Sequence, residues 1–247
     1  MTTCDLNCDM GEGIGNDAAI IPYITSANIA CGYHAGNEIT MRDTIMLAKN
    51  AGVAIGAHPS FLDRENFGRT AIKEITPQQV YELITEQLRT LLNIAVQCGT
   101  CLHHIKPHGA LYNMAAKDGL LAKAVANAVH DFDRQLVLFG LSGSYLIEEA
   151  KALGIKTASE VFADRTYQDD GSLTPRTQAD ALISDENKAI EQVIRMIKKG
   201  EVISTSGKTV AIVAETVCVH GDGKNAVAFA KAIHTKLKSE KIAIQAV

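Results

Sequence analysis

Tryptophan is absent and aromatic side chains make up only 5% of the 247 residues, so a core formed by this chain is aliphatic. No apolar run approaches the roughly 20 residues that a membrane-spanning helix requires, which excludes a span of that kind. Basic residues are not in excess: 24 Lys and Arg stand against 28 Asp and Glu, for a net charge of −4. That balance leaves no electropositive footprint for nucleic acid or an anionic membrane. The opening Met1-Thr2-Thr3-Cys4-Asp5 has no basic region followed by an apolar core, so no secretory leader is expected and the expected setting is cytoplasmic.

Phosphate-binding signatures are also missing. Ser206-Gly207-Lys208-Thr209 imitates the end of a Walker A loop, but Gly200 is too far upstream and the segment runs from helix to strand. A P-loop runs from strand to helix, so that backbone N–H groups and the helix dipole face the phosphates. Gly11-Glu12-Gly13-Ile14-Gly15 has the right polarity and could cradle an anion, although Glu12 would repel phosphate unless a cation lay between; it reads equally well as a tight turn. No dinucleotide fingerprint occurs. The six cysteines sit among apolar neighbours and read as reduced, small hydrophobes. Cys98 and Cys101 are spaced as C-x-x-C, but Cys98 closes a helix, whereas a redox pair needs its first thiol at a helix N-terminus.

What is present, at 47% hydrophobic content, is an unbroken alternation of short apolar runs with amphipathic stretches. Strands are expected at 3–9, 27–31, 53–57, 101–106, 136–140, 155–161 and 210–219, with a further short one at 242–247. Helices are expected near 17–24, at 39–50, from Thr76, at 120–129, 146–153, from Ser184, and at 226–237. Thr76-Pro77-Gln78-Gln79 supplies an N-cap, a proline at the first helical position and a capping-box glutamine. Val80, Leu83, Ile84, Leu88, Leu91, Leu92 and Ala95 follow at helical spacing. Seven β-α units in series imply a parallel sheet, and the shared parity of Asp5, Asn7 and Asp9 suits a barrel interior. The expected architecture is α/β, a single-domain (β/α) barrel of about seven parallel strands.

The densest chemistry lies in His103-His104-Ile105-Lys106-Pro107-His108-Gly109, where an apolar strand runs into a glycine-containing turn. Alternate strand residues share a face, so His104, Lys106 and His108 are expected to converge, and Pro107 ends ladder bonding there. Other strand ends deliver Asp9 and Glu12, His34, His58, then Glu160, Asp164 and Arg165, then His220 and Asp222. Reactive groups after six of seven strands are the pattern of a barrel enzyme's loop face. Each alone has a plainer explanation: His34 lies between Gly32 and Gly36 in a possible turn, and Asp164 and Arg165 could simply pair on the surface. The long polar excursion 162–181 exceeds an ordinary connection and reads as functional.

With these residues in view, the chain resembles the LamB/YcsF family, the A subunits of bacterial ATP-dependent 5-oxoprolinase. The resemblance is carried by the segments Asp5–Glu12, Ser26–Gly36, Val53–Ser60, Asn66–Arg69, His104–Gly109, Glu160–Arg165 and Val217–Asp222. It implies a branch of the deacetylase-like (β/α) barrels. The implied reaction is opening of the 5-oxoproline lactam to L-glutamate with hydrolysis of ATP to ADP and phosphate, in company with B and C subunits; self-association is left open. On this reading Asp9, His58, Lys106 and His108 are catalytic, with Asp9 the general base, although strand register leaves Asp5 as its rival. Asn7, Glu12, His34, His104, Asp164, Arg165 and His220 are expected to bind substrate. A divalent ion, magnesium or similar, is expected on His58, His108 and Asp9. Deacetylase-like barrels carry neighbouring carboxylates on strand one, whereas here Met10 follows Asp9. The competing readings are a stand-alone metal-dependent amidohydrolase or deacetylase, and a barrel that only binds the lactam.

Overall fold

A computed structural model of the chain describes residues 2–219, 221 and 226–247. Seven parallel strands close on themselves: β1 (Thr3–Met10), β2 (Ser26–Ala30), β3 (Ala54–His58), β4 (His104–Ile105), β5 (Val137–Leu141), β6 (Thr157–Phe162) and β9 (Thr216–Val219). Closure comes from β9, which pairs with β6 on one side and with Asp5–Cys8 of β1 on the other. A short antiparallel hairpin, β7 (Glu201–Ile203) and β8 (Thr209–Ala211), stands apart from the barrel, and β10 (Ala243–Ile244) pairs with the first residues of β1. The helices are α1 (Asp17–Ile20), α2 (Glu38–Ala51), α3 (Pro77–Gln97), α4 (Gly109–Lys117), α5 (Gly119–Phe132), α6 (Tyr145–Ala152), α7 (Glu186–Lys199) and α8 (Ala226–Ser239). No helix among the described residues is long and apolar enough to cross a membrane.

Strand alternation divides the barrel into two environments. Leu6, Cys8 and Met10 join the continuous apolar cluster of strands and helices. Asp5, Asn7 and Asp9 point the other way, into an interior that is polar on one side. The opposite side of the interior is a small apolar cluster of Val137, Phe139 and Ala158. Register sets Asp9 beside Asn28, Asn28 beside Gly56, and Gly56 beside His104 across four adjacent strands. The missing side chain of Gly56 makes room for the imidazole: a Cβ there would lie 2.1 Å from His104 Nε2. The same ring stacks on Phe139 with centroids 4.3 Å apart.

The helix signals behave as their chemistry requires. Thr76 and Gln79 form the reciprocal capping box of α3, and Gly52 ends α2 in the left-handed conformation at φ 69°. Gln87, midway along the apolar face of α3, is buried and clamps the chain after β3: its side chain accepts from Ser60 N and donates to Ser60 O, both at 2.9 Å. Leu83 and Leu92 lie at the margin of that face, half-buried.

Four local expectations are corrected. The run 210–219 is not one strand. Its first residues pair antiparallel in β8, Val213 is exposed with its N–H on Ser142 Oγ, and only Thr216–Val219 enters the barrel. The barrel portion of the fourth strand is two residues long, not six. Gly109 opens α4 instead of forming a turn. Asp185, whose side chain accepts from Lys188 N, caps α7 in place of Ser184. The Walker-like Ser206–Thr209 lies in the β7–β8 turn, where Lys208 pairs with Asp169 at 2.6 Å.

Candidate active site

A cavity of about 720 Å³ opens at the C-terminal end of the strands. Asp9, His58, Lys106 and His108 line its floor, while Arg69, Lys117 and Arg176 line its walls. Asp9 lies at the end of β1, His58 ends β3, and Lys106 and His108 follow β4, which is where a parallel barrel collects its chemistry.

Lys106 is the centre of the floor. Its ammonium is buried, 2.9 Å from Asp9 Oδ1 and 2.8 Å from Glu160 Oε1, and it also reaches Asn7 Oδ1 at 3.2 Å. Burial works against its charge, but Asp9 and Glu160 outweigh it and hold the group well above the ordinary lysine range. Burial pushes the nearby Cys218 thiol up, so it meets Lys106 at 3.2 Å as a neutral acceptor. Tyr112 OH donates to Glu160 Oε2 at 2.7 Å and fixes that carboxylate from the far side.

Beneath the floor, hydrogen bonds run without a break. Asn28 Nδ2 donates to Asp9 Oδ1 and Asn7 Oδ1, both at 2.8 Å. Asn7 Nδ2 donates to Thr216 Oγ1 at 2.7 Å, and that hydroxyl donates to Asp5 Oδ2 at 2.5 Å. Thr25 and Ser26 donate to the other oxygen of Asp5. This separates the two carboxylates that strand register could not: Asp5 is saturated by three hydroxyls deep in the barrel, and Asp9 lines the cavity.

Beside Asp9 the imidazoles form a second group. His58 Nε2 lies 3.3 Å from Asp9 Oδ2 and 2.9 Å from His108 Nδ1. His34 stacks on His108 with ring centroids 3.8 Å apart, and its Nε2 lies 3.3 Å from Glu12 Oε1. Burial, reinforced by His58, pushes the His34 ring down to about 3. Burial likewise holds His108 well below the ordinary imidazole range, with His58 and His34 adding to it. Phe67 closes the group from above at φ 57°, a conformation that costs a non-glycine residue about 1–3 kcal/mol. That backbone turn aims its carbonyl at His108 Nε2, 2.8 Å away. One nitrogen or oxygen each from Glu12, His34, His58 and His108 lies within 4.8 Å of all the others, so these four residues could hold a metal ion. Asp9 touches His58 but stands outside this group of four, its Oδ1 held by Lys106 and Asn28.

Of the residues singled out in the sequence, Asp9, Glu12, His58, Lys106, His108 and Arg165 line the cavity. Asn7, His34 and His104 are buried and are not among its lining residues: Asn7 and His104 sit at inward strand positions bonded to Asn28, and the His34 ring, on the loop after β2, is stacked against His108. Asp164 is likewise not among the lining residues; its carbonyl accepts the N–H of Ile183. Arg165 donates to the carbonyls of Ala181 (3.2 Å) and Thr174 (2.5 Å), so much of its donor capacity holds the 162–181 excursion in place. Burial pushes its guanidinium down to about 10. His220 and Asp222 lie outside the described residues. Sequence reasoning missed Asn28, which joins Asp9, Asn7 and His104. The available signal was an asparagine sharing strand parity with Ser26 in an otherwise apolar segment.

His104 carries a measurable consequence of its burial. Asn28 spends both N–H donors on Asn7 and Asp9, so its oxygen accepts from His104 Nε2 at 2.9 Å and the ring is a neutral Nε2–H tautomer. Burial holds it well below the ordinary imidazole range, with His103 and Lys106 adding to the shift. In the unfolded chain the ring takes a proton below a pH of about 6.5; in the fold it does not. Unfolding therefore binds a proton at this site, and stability falls as pH drops below that value, by about 1.4 kcal/mol per pH unit for this group. Denaturant titrations at pH 7, 6 and 5 should show a slope one proton smaller in His104→Gln than in the natural chain. Equal slopes would mean that the ring is protonated in the fold.

Comparison with known proteins adds four findings. The model of the LamB/YcsF family matches residues 4–247. The A subunit of 5-oxoprolinase from Bordetella pertussis is 53% identical over 247 residues, covering 98% of each chain. The crystal structure of a lactam utilization protein from Thermus thermophilus superposes with a TM-score of 0.92 at 37% identity, covering 100% of both chains. The fold alone is shared with a family 4 carbohydrate esterase from Streptomyces lividans, at a TM-score of 0.54 and 11% identity over 98% of this chain and 91% of that one.

Proposed function

The chain belongs to the LamB/YcsF family, and from that premise we propose that it is the A subunit of an ATP-dependent 5-oxoprolinase, opening the lactam of 5-oxoproline to L-glutamate. The observation that carries this reading is the meeting of Asp9, Lys106 and His58 on the floor of one cavity.

The chemistry explains the demand for ATP. A five-membered lactam is a resonance-stabilised amide, and the substrate's own carboxylate repels hydroxide. Transfer of the γ-phosphoryl group to the lactam oxygen releases ADP and leaves the ring carbon electrophilic. Asp9 takes a proton from water as the water oxygen bonds to that carbon, giving a tetrahedral intermediate. The C–N bond then breaks, the nitrogen takes a proton from the His58–His108 pair, and the resulting acyl phosphate is hydrolysed by a second water to glutamate and phosphate. Lys106 stabilises negative charge on the reacting oxygens. Arg69, Lys117 and Arg176 supply cationic walls suited to the substrate carboxylate and to phosphate.

The described residues include no Walker-type loop, and the proposal assigns phosphoryl transfer to the assembly of this chain with B and C subunits. The test is glutamate formation from 5-oxoproline, measured with this chain alone and with those subunits, each with and without ATP. Glutamate is expected only from the assembly with ATP, with one phosphate released per glutamate. ATP-independent opening by this chain alone would replace this reading with a stand-alone amidohydrolase.

A further inference from the structure

The excursion after β6 turns back so that residues 173–177 line the cavity, and two antiparallel bridges, Arg165 to Leu182 and Tyr167 to Leu173, hold its shape. Thr174 is fully buried within it. Its N–H donates to Thr166 O at 3.0 Å and its carbonyl accepts from Arg165, so its backbone is satisfied. Its hydroxyl is not: Thr174 Oγ1 is buried with no hydrogen-bond partner. The hydroxyls of Ser60 and Ser144 share that condition, but neither residue lines the cavity. A valine would fill the same space without stranding a hydroxyl, and buried polar groups are ordinarily paired. The Thr174 hydroxyl therefore points to a partner that enters from the cavity. The charges beside it define that partner. Five Lys and Arg line the cavity against three Asp and Glu, in a chain whose net charge is −4. Lys106 is matched on the floor by Asp9 and Glu160. Arg165 is also buried, yet its bonds go to neutral carbonyls and no acid among the described residues forms an ion pair with it. Arg176 brings a second cation close enough that its charge acts, with burial, against that of Arg165.

We propose that Thr174 and Arg176 bind the carboxylate of the lactam substrate, with Arg165 as the residue that positions Thr174. The proposal rests on the oxoprolinase reading and adds to it the determinant of substrate choice. In 5-oxoproline the carboxylate is borne by the ring carbon on the far side of nitrogen from the reacting carbonyl. With that carbonyl over Asp9 and Lys106, the carboxylate is directed away from the floor and toward a wall. There one of its oxygens accepts from Thr174 Oγ1, and both face the Arg176 guanidinium, whose fork matches a carboxylate. Arg165 keeps its bonds to the carbonyls of Thr174 and Ala181, so it holds the hydroxyl in place and lends its charge without touching substrate. A neutral lactam would leave Thr174 unpaired and the two cations uncompensated. Sites built around a substrate's polar group reject analogues that lack it far more strongly than apolar pockets reject a missing methylene.

The test is steady-state glutamate formation by the assembled subunits with ATP, this chain being natural, Thr174→Val or Thr174→Ser. Thr174→Val keeps the shape and should raise the KM for 5-oxoproline about tenfold to a hundredfold, as expected for a lost hydrogen bond to a charged group. Its kcat should stay within a few-fold of the natural value, the pattern of lost uniform binding. Thr174→Ser, which returns the hydroxyl, should bring the KM back toward the natural value. Two competitors separate the groups recognised. Cyclopentanecarboxylate carries the carboxylate without the lactam and should inhibit Thr174→Val more weakly by the same factor. 2-Pyrrolidinone carries the lactam without the carboxylate and should act on both chains alike. Equal weakening of the two competitors would make Thr174 a structural residue, and a fall in kcat at unchanged KM would give its hydroxyl to the phosphoryl group; either result overturns the proposal. Natural kinetics in Thr174→Val would overturn the subsite alone, whereas no glutamate from the assembly with the natural chain would overturn the oxoprolinase reading and the subsite with it. Thermal melts check folding; should Thr174→Val not fold, Arg176→Gln, on an exposed side chain, carries the same expectations.

Discussion

Replacing Lys106 by alanine is expected to destabilise the fold by about 3–5 kcal/mol, the range seen when one member of a buried ion pair is removed. The ammonium lies between Asp9 Oδ1 at 2.9 Å and Glu160 Oε1 at 2.8 Å, and all three side chains are buried. Truncation leaves two buried carboxylates with no cation between them. Neither is free to swing away, because Asn28 holds Asp9 and Tyr112 holds Glu160. Lys106→Met restores most of the volume but not the charge, so it should be destabilised nearly as much, which separates the electrostatic cost from the cavity cost. Denaturant unfolding at pH 7 checks this. Losses below about 1 kcal/mol in both variants would show that the carboxylates are already protonated or hydrated in the natural fold. Lys106 is thus a poor choice for a clean catalytic knockout, although its position alone recommends it.

Much of this arrangement was legible in the sequence, for reasons that differ from residue to residue. Parity placed Asp5, Asn7 and Asp9 on one face of the first strand, and period-two geometry leaves no alternative once that strand closes a barrel. His58, Lys106 and His108 were legible because apolar strands ending in titratable groups mark the functional end of a parallel sheet. His104 followed the same pattern and yet lies below the cavity. What directs it is Gly56 on the neighbouring strand, whose missing side chain opens a slot for the ring, and such a pairing depends on register. The roles of Asn28, Gln87 and the Phe67 carbonyl are long-range in the same sense, since each is defined by a partner at least 19 residues away. The false strand at 210–219 arose because an apolar run has the same composition whether it pairs in a barrel or in an outer hairpin. Arg165 looked like an anion ligand, but its nearest acceptors are carbonyls of the excursion that follows it.

Asp9→Asn separates chemistry from folding. Asparagine keeps the shape and an oxygen for Asn28 and Lys106, and Lys106 retains Glu160 as counter-ion, so stability should stay within about 1–2 kcal/mol of the natural chain. The carboxamide cannot take a proton from water, and loss of a general base lowers turnover by about 10²–10⁴-fold. The decisive measurement is glutamate released from 5-oxoproline and ATP by the assembled subunits, with this chain natural or carrying Asp9→Asn, alongside thermal melts of both. A loss of at least about a hundredfold with an unchanged melting profile is expected. Turnover within a few-fold of the natural rate would contradict the assignment of lactam opening to this cavity floor.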